Sequence, residues 1–187
     1  MRVFVALDIP EDIRRSISDL RSRLEGHCPQ ARWVRAESMH LTLKFMGEVA
    51  PERIENIRAA LAAVRSGSPV QMEFRGVGFF PNERHPRVCW VGISASPNLA
   101  GLAAEIERRL EQLGAPREQR PFRPHLTLAR FRSEDGLPRL REAIGQLEHV
   151  ELGSMTAEKL HLYESRLKPG GAEYTRLGTF AFVGDMH

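Results

Sequence analysis

The string His-Leu-Thr-Leu occurs twice, at residues 40–43 and 125–128, in a chain of 187 residues that has seven histidines and five threonines. Chance alone makes that improbable. In an extended strand alternate side chains share a face. Each copy therefore turns His40 and Thr42, or His125 and Thr127, one way, while Leu41 and Leu43, or Leu126 and Leu128, anchor the strand in a core. The surroundings repeat as well. His40 lies 30 residues beyond the helix-opening Pro10, and His125 lies 28 beyond Pro97. The next helix-opening prolines, Pro51 and Pro138, follow their histidines by 11 and 13 residues. Helix, motif strand and helix thus recur in nearly one frame, which reads as an internal duplication. The expected fold is α+β, with two similar lobes related by a pseudo-twofold. Each lobe is an antiparallel sheet with helices on the outside, and the active-site cleft lies between them. Residues 1–187 are read as one bilobal domain with no linker near 94–97.

Hydrophobic periodicity supplies the elements. Strands are predicted over 2–9, 32–34, 39–45, 70–77 and 88–93, with Gly47 breaking the third. The stretch 122–131 carries the second motif, and further strands are predicted over 151–157, 159–164 and 174–183. Ile13, Ile17, Leu20 and Leu24 mark a helix from 11 to 25. Ile54, Ile57, Leu61 and Val64 mark another from Pro51, and Leu102, Ile106, Leu110 and Leu113 a third from Pro97. A fourth runs over 138–147.

Composition excludes several classes. No apolar run approaches the ~20 residues a membrane-spanning helix needs. The opening segment, acidic by Asp8, reads as a core strand and not a signal peptide, so a cytoplasmic location is expected. Cys28 and Cys89 match neither a metal spacing nor a disulfide framework. Of 27 basic residues only three are lysines. A genome rich in arginine codons explains that as well as a phosphate ligand does, but the local clustering is more telling. Arg117, Arg120, Arg123, Arg130 and Arg132 bracket the second motif with Glu118 alone against them, a basic rim suited to an anionic substrate.

Two histidines near pKa 6.5 can hold one proton between them, one removing a proton from a nucleophile while the other gives one to a leaving group. Phosphoryl transfer needs attacking and leaving oxygens on opposite sides of phosphorus, which histidines on opposing walls of a cleft provide. Threonine hydroxyls on the same face can donate to the non-bridging oxygens as charge develops. The scheme requires no metal.

The chain resembles the 2H phosphoesterases, whose signature is two His-x-Thr-x motifs, and within them the RNA 2′,3′-cyclic phosphodiesterases, also called 2′-5′ RNA ligases. The likeness spans nearly the whole chain: Arg2 to Pro10, Met39 to Glu48, Arg120 to Arg130, Leu162 to Ser165, and Tyr174. The resemblance implies hydrolysis of an RNA 2′,3′-cyclic phosphate to a 2′-phosphate, without a cofactor. His40 is then the proton donor, His125 the proton acceptor, and Thr42 and Thr127 the phosphate holders. It also implies reversible, ATP-independent 2′-5′ ligation, and as partner an RNA with a cyclic phosphate end, such as a tRNA half. A monomer is expected. The residues by themselves do not tell acid from base.

Other candidates are weaker. Lys44 shares the parity of His40 and so edges toward the cleft, while Phe45 should face the core. Arg130 has the parity of the leucines and needs a twist to reach substrate. Arg123, Arg120 and Arg132 read as a solvated rim with RNA contact as the alternative. Phe79, Phe80, Trp33, Trp90 and Tyr163 are base-stacking candidates, with core packing the blander reading. His161, alternating with Leu160 and Leu162, faces either solvent or the cleft, with solvent the favoured side; His85 lies in an exposed turn, and His27, His149 and His187 have no companions at ligand spacing. Competing functions are another 2H activity, a module that only grips a terminal phosphate, and a metallohydrolase. The last lacks ligand spacing or carboxylates at either motif.

Overall fold

The computed structural model describes residues 1–184; His187 lies outside them. The chain runs β1 (Arg2–Asp8), α1 (Glu11–Leu24), β2 (Arg32–Trp33), β3 (His40–Glu48), α2 (Ile54–Ala62), β4 (Val70–Phe80), β5 (Val88–Ala95), α3 (Asn98–Gln112), β6 (His125–Arg130), α4 (Leu137–Gly145), β7 (Glu151–Ala157), β8 (Lys159–Lys168) and β9 (Gly171–Ala181). The helices form where the apolar spacing predicts them. Ile13, Ile17, Leu20 and Leu24 are all buried along α1, and each such side chain stabilises the fold by about 1.5–3 kcal/mol. Glu11 and Asp12 sit in its first turn and Arg21 and Arg23 in its last, complementing the helix dipole. Most boundaries shift by a few residues from expectation, β8 and β9 extending toward each other to Lys168 and Gly171, and two shifts have a local cause. Pro51–Arg53 is a short 3-10 turn, so α2 starts at Ile54. Gly47 does not break β3: it takes φ +72°, a left-handed conformation open to glycine, and the strand continues to Glu48. Among the described residues no helix is long and apolar enough to cross a membrane.

Two antiparallel sheets form, with strand orders β3-β1-β8-β9 and β2-β6-β5-β4-β7. Setting β2 aside, the two correspond strand for strand: motif strand, partner, third strand, edge. The lobes are not sequence halves, however. The third strand is exchanged, since β4 leaves the first motif's half to pair with β5, and β8 returns from the second half to pair with β1. The exchange locks the lobes together. One continuous core runs through the molecule from Val3, Val5 and Leu7 to Leu126, Leu128 and Leu162. A small separate cluster of Phe4, Ala6 and Tyr163, flanked by Tyr174, covers the other face of the first sheet. The two sheets meet along the motif strands β3 and β6.

Candidate functional site

Both motif strands carry a bulge at the same place. On β3, Thr42 pairs with Ala6 but Lys44 pairs with Val5, so Leu43 is the extra residue. On β6, Thr127 pairs with Trp90 but Ala129 pairs with Cys89, so Leu128 is the extra one. A bulge shifts the alternation by one. Beyond it, Lys44 and Ala129 both point into the core and are buried, and Phe45 and Arg130 both turn out to the face of His40 and His125.

This corrects two expectations and bears on a third. Lys44 does not edge toward the cleft. It is 5% exposed, its Nζ donates to Glu107 Oε1 at 2.7 Å on α3 and to the carbonyl of Pro116, and Glu107 in turn accepts the Glu118 N–H at 2.8 Å. Lys44 is thus an internal tie between β3 and the segment that leads into His125. Phe45, expected in the core, is 51% exposed on the site face with the Arg2 guanidinium 5.6 Å from its ring centre. Arg130 reaches the site face by the bulge.

The histidines are held alike. His40 Nδ1 lies 3.3 Å from the Ser38 carbonyl and His125 Nδ1 2.7 Å from the Arg123 carbonyl, each acceptor two residues upstream. A carbonyl can only accept, so Nδ1 carries hydrogen in both and Nε2 is left for proton exchange. Their surroundings differ. His40 sits among Phe4, Tyr163 and Tyr174, with ring centres 6.0, 4.6 and 5.4 Å away. Its Nε2 is 3.8 Å from Asp8 Oδ1. Burial pushes its pKa below the ordinary histidine value, against a pull upward from Asp8; the Arg14 charge also lowers it. His125 meets the edge of Phe80 at 5.0 Å, and Phe80 in turn packs on Trp90.

Sequence reading missed His161 and Asp8. His161 was placed toward solvent, yet it is 7% exposed on the site face, its Nε2 3.4 Å from Asp8 Oδ2 and its Nδ1 2.9 Å from Thr179 Oγ1. The Asp8 carboxylate also accepts the Tyr163 hydroxyl and pairs with Arg176. The signal lay in register: Ala6 pairs with both Thr42 and His161, which puts all three on one face. A cleft of about 430 Å³ opens beside this cluster, lined by Asp8, Arg14, Glu37, His40, Tyr174 and Arg176. Arg117, Arg120, Arg123 and Arg132 are exposed, as a rim requires. Trp90 pairs with Thr127 on the site face, Tyr163 lies beside His40, Phe79 is core, and Trp33 donates to the Cys28 carbonyl. His85 is exposed opposite Glu134. Cys28 and Cys89 are free and buried. Among the described residues, no group of three or more His, Cys, Asp or Glu side chains is arranged to hold a metal ion.

Duplicated sheets carrying a histidine and a threonine each, met along their motif strands, define a phosphoesterase of the two-histidine kind. The family model described as LigT like phosphoesterase matches twice, over residues 7–90 and 91–174, and the chain belongs to this family. A curated relative from Methanothermobacter thermautotrophicus, named RNA 2′,3′-cyclic phosphodiesterase, is 33% identical over 181 residues, spanning 96% of this chain and 98% of its own. One of the same name from Thermus thermophilus is 33% identical over 193 residues, spanning 99% and 92%. Among solved structures, TT0787 of Thermus thermophilus superposes with a TM-score of 0.83 at 30% identity over 100% of both chains. LigT of E. coli complexed with 3′-AMP superposes with a TM-score of 0.76 at 30% identity over 97% of each.

Proposed function

We propose that this chain is an RNA 2′,3′-cyclic phosphodiesterase that uses His40 and His125 as an acid–base pair. The observation that carries the reading is the matched pair of imidazoles on abutting motif strands, each with Nδ1 tied to a carbonyl and Nε2 left for proton exchange. The relatives' shared name supplies the substrate class.

In the proposed reaction His125 Nε2 takes a proton from water as its oxygen attacks phosphorus. The bond to the 3′ oxygen breaks on the opposite side, and His40 Nε2–H protonates that oxygen, leaving a 2′-phosphomonoester. Thr42 and Thr127 donate their hydroxyls to the non-bridging oxygens. An RNA 5′-hydroxyl in place of water forms a 2′-5′ linkage with the same groups, and no metal or nucleotide enters either step. The substrate's negative charge favours the protonated form of a His40 whose pKa burial has lowered. Phe45 and Arg130, brought to the site face by the paired bulges, offer a stacking surface and a guanidinium to the RNA end; Arg123 stands at the rim. We place the enzyme in the cytoplasm as a monomer, with tRNA halves as one source of suitable ends.

The test is a short RNA ending in a 2′,3′-cyclic phosphate, incubated with and without chelator. Wild type yields a 2′-phosphate in both conditions. His40→Ala and His125→Ala each lose about 10²–10⁴-fold in rate while remaining folded. A 3′-phosphate product, full activity in either variant, or loss with chelator refutes the mechanism.

A further inference from the structure

We propose that Asp8, held by Tyr163, Arg176 and His161, is a positioning residue whose fixed counter-charge lets the buried His40 carry a proton and so serve as the acid. The inference rests on the reading of His40 and His125 as an acid–base pair.

Strand register exposes the difference between the two walls. Asp8 pairs with His40 on the first sheet, and Gly92 occupies the equivalent place beside His125 on the second. His161, paired with Ala6, corresponds to Gly78, paired with Trp90. Tyr163, paired with Phe4, corresponds to Phe80, paired with Val88. An aspartate, a histidine and a tyrosine on one wall are thus two glycines and a phenylalanine on the other. The second wall has no room to match the first. A Cβ on Gly78 would lie 2.4 Å from the Trp90 ring, and one on Gly92 would lie 2.7 Å from the Arg75 carbonyl. The indole fills the space that carboxylate and imidazole occupy opposite.

The charges around His40 come from every element packed against it. Asp8 comes from β1, His161 and Tyr163 from β8, and Tyr174 and Arg176 from β9. Arg14 comes from α1, and Glu37 from the turn before β3. Arg14 is engaged by the carbonyls of Glu37 and Met39. Asp8 is the carboxylate that faces Nε2, at 3.8 Å. Tyr163 and Arg176 both donate to it, so its orientation is fixed before substrate arrives, and an imidazolium at His40 finds a ready counter-charge.

The test follows both imidazoles by NMR titration in wild type, Asp8→Asn and Arg176→Gln, beside the pH dependence of kcat/KM on the cyclic-phosphate RNA. Asp8→Asn lowers the His40 titration by about 1 pH unit and leaves His125 unmoved. Arg176→Gln, at a half-exposed position, frees the Asp8 charge and raises it. The alkaline limb of kcat/KM, which reports the acid, moves with His40 in each variant. A merely structural role for Asp8 moves neither titration, or moves both variants the same way, and that result overturns the proposal. If the titrations move as expected but the acidic limb follows them, Asp8 governs His40 while His40 is the base, and the division of roles is overturned. NMR reads the coupling even in an inactive variant, so loss of the phosphodiesterase reading leaves it decided.

Discussion

Replacing Lys44 with Met separates an internal tie from an RNA contact. The Lys44 side chain is 4% exposed and that of Glu107 22%. Methionine fills the volume of the lysine stem but removes the charge, so the Glu107 carboxylate keeps only the Glu118 N–H and the Pro116 carbonyl loses its donor. Breaking a buried pair by removing one partner costs about 3–5 kcal/mol, and Glu107's access to solvent brings the expectation down to about 2–4 kcal/mol. For a chain of this size that lowers Tm by roughly 5–15 °C. Thermal and urea unfolding of wild type, Lys44→Met, Glu107→Gln and the double variant form a cycle. The double variant should be more stable than Lys44→Met alone, because the stranded charge is gone. Assayed well below its Tm, Lys44→Met should show a reduced kcat, since the segment leading into His125 has lost its anchor, and an unchanged KM for RNA. A raised KM with an unchanged Tm would refute the reasoning and return Lys44 to the substrate.

Other outcomes follow from the same geometry. Arg130→Met should raise KM for RNA several-fold and make binding less sensitive to salt, because one phosphate contact is worth about one unit in the salt slope. Phe45→Ala should raise KM by removing a stacking surface worth about 1–3 kcal/mol, with little change in Tm because the ring is half exposed. His40 and His161 both have folded pKa values depressed by burial below about 6.5. Their contribution to stability is therefore complete above that pH and is lost as pH falls through the lower folded values. His161→Gln should flatten the decline of Tm as pH falls below about 6.5, and an unchanged slope would show that His161 is not held neutral.

Periodicity disclosed the elements and the duplication because burial imposes it: α1 buries its Ile and Leu stripe, and the motif leucines are buried at 0–7% exposure. What escaped was local. A bulge adds one residue to a strand and leaves no trace in its composition, so the parity that places His40 and Thr42 correctly fails at Lys44 and Phe45. Asp8 and His161 escaped for another reason. Each lies on a strand whose neighbours are distant in sequence, and Asp8 meets Tyr163 and Arg176 across more than 150 positions. No local pattern encodes that meeting.

The exchanged strands explain how a duplicated frame comes to hold two unlike histidines. Motif strand and partner, β3 with β1 and β6 with β5, keep the histidine, threonine, bulge and Nδ1 bond two residues upstream, and differ at Asp8 of β1 against Gly92 of β5. The third strand comes in each case from the other half of the chain. β8 brings His161 and Tyr163 to His40, whereas β4 brings Gly78 and Phe80 to the wall of His125. Divergence on β8 and β4 can therefore alter the proton affinity of one imidazole without touching the motif that orients it. A general acid and a general base need different proton affinities from one kind of side chain; under the proposed mechanism the motif strands carry the common geometry, and the difference lies on the third strands together with Asp8 of β1.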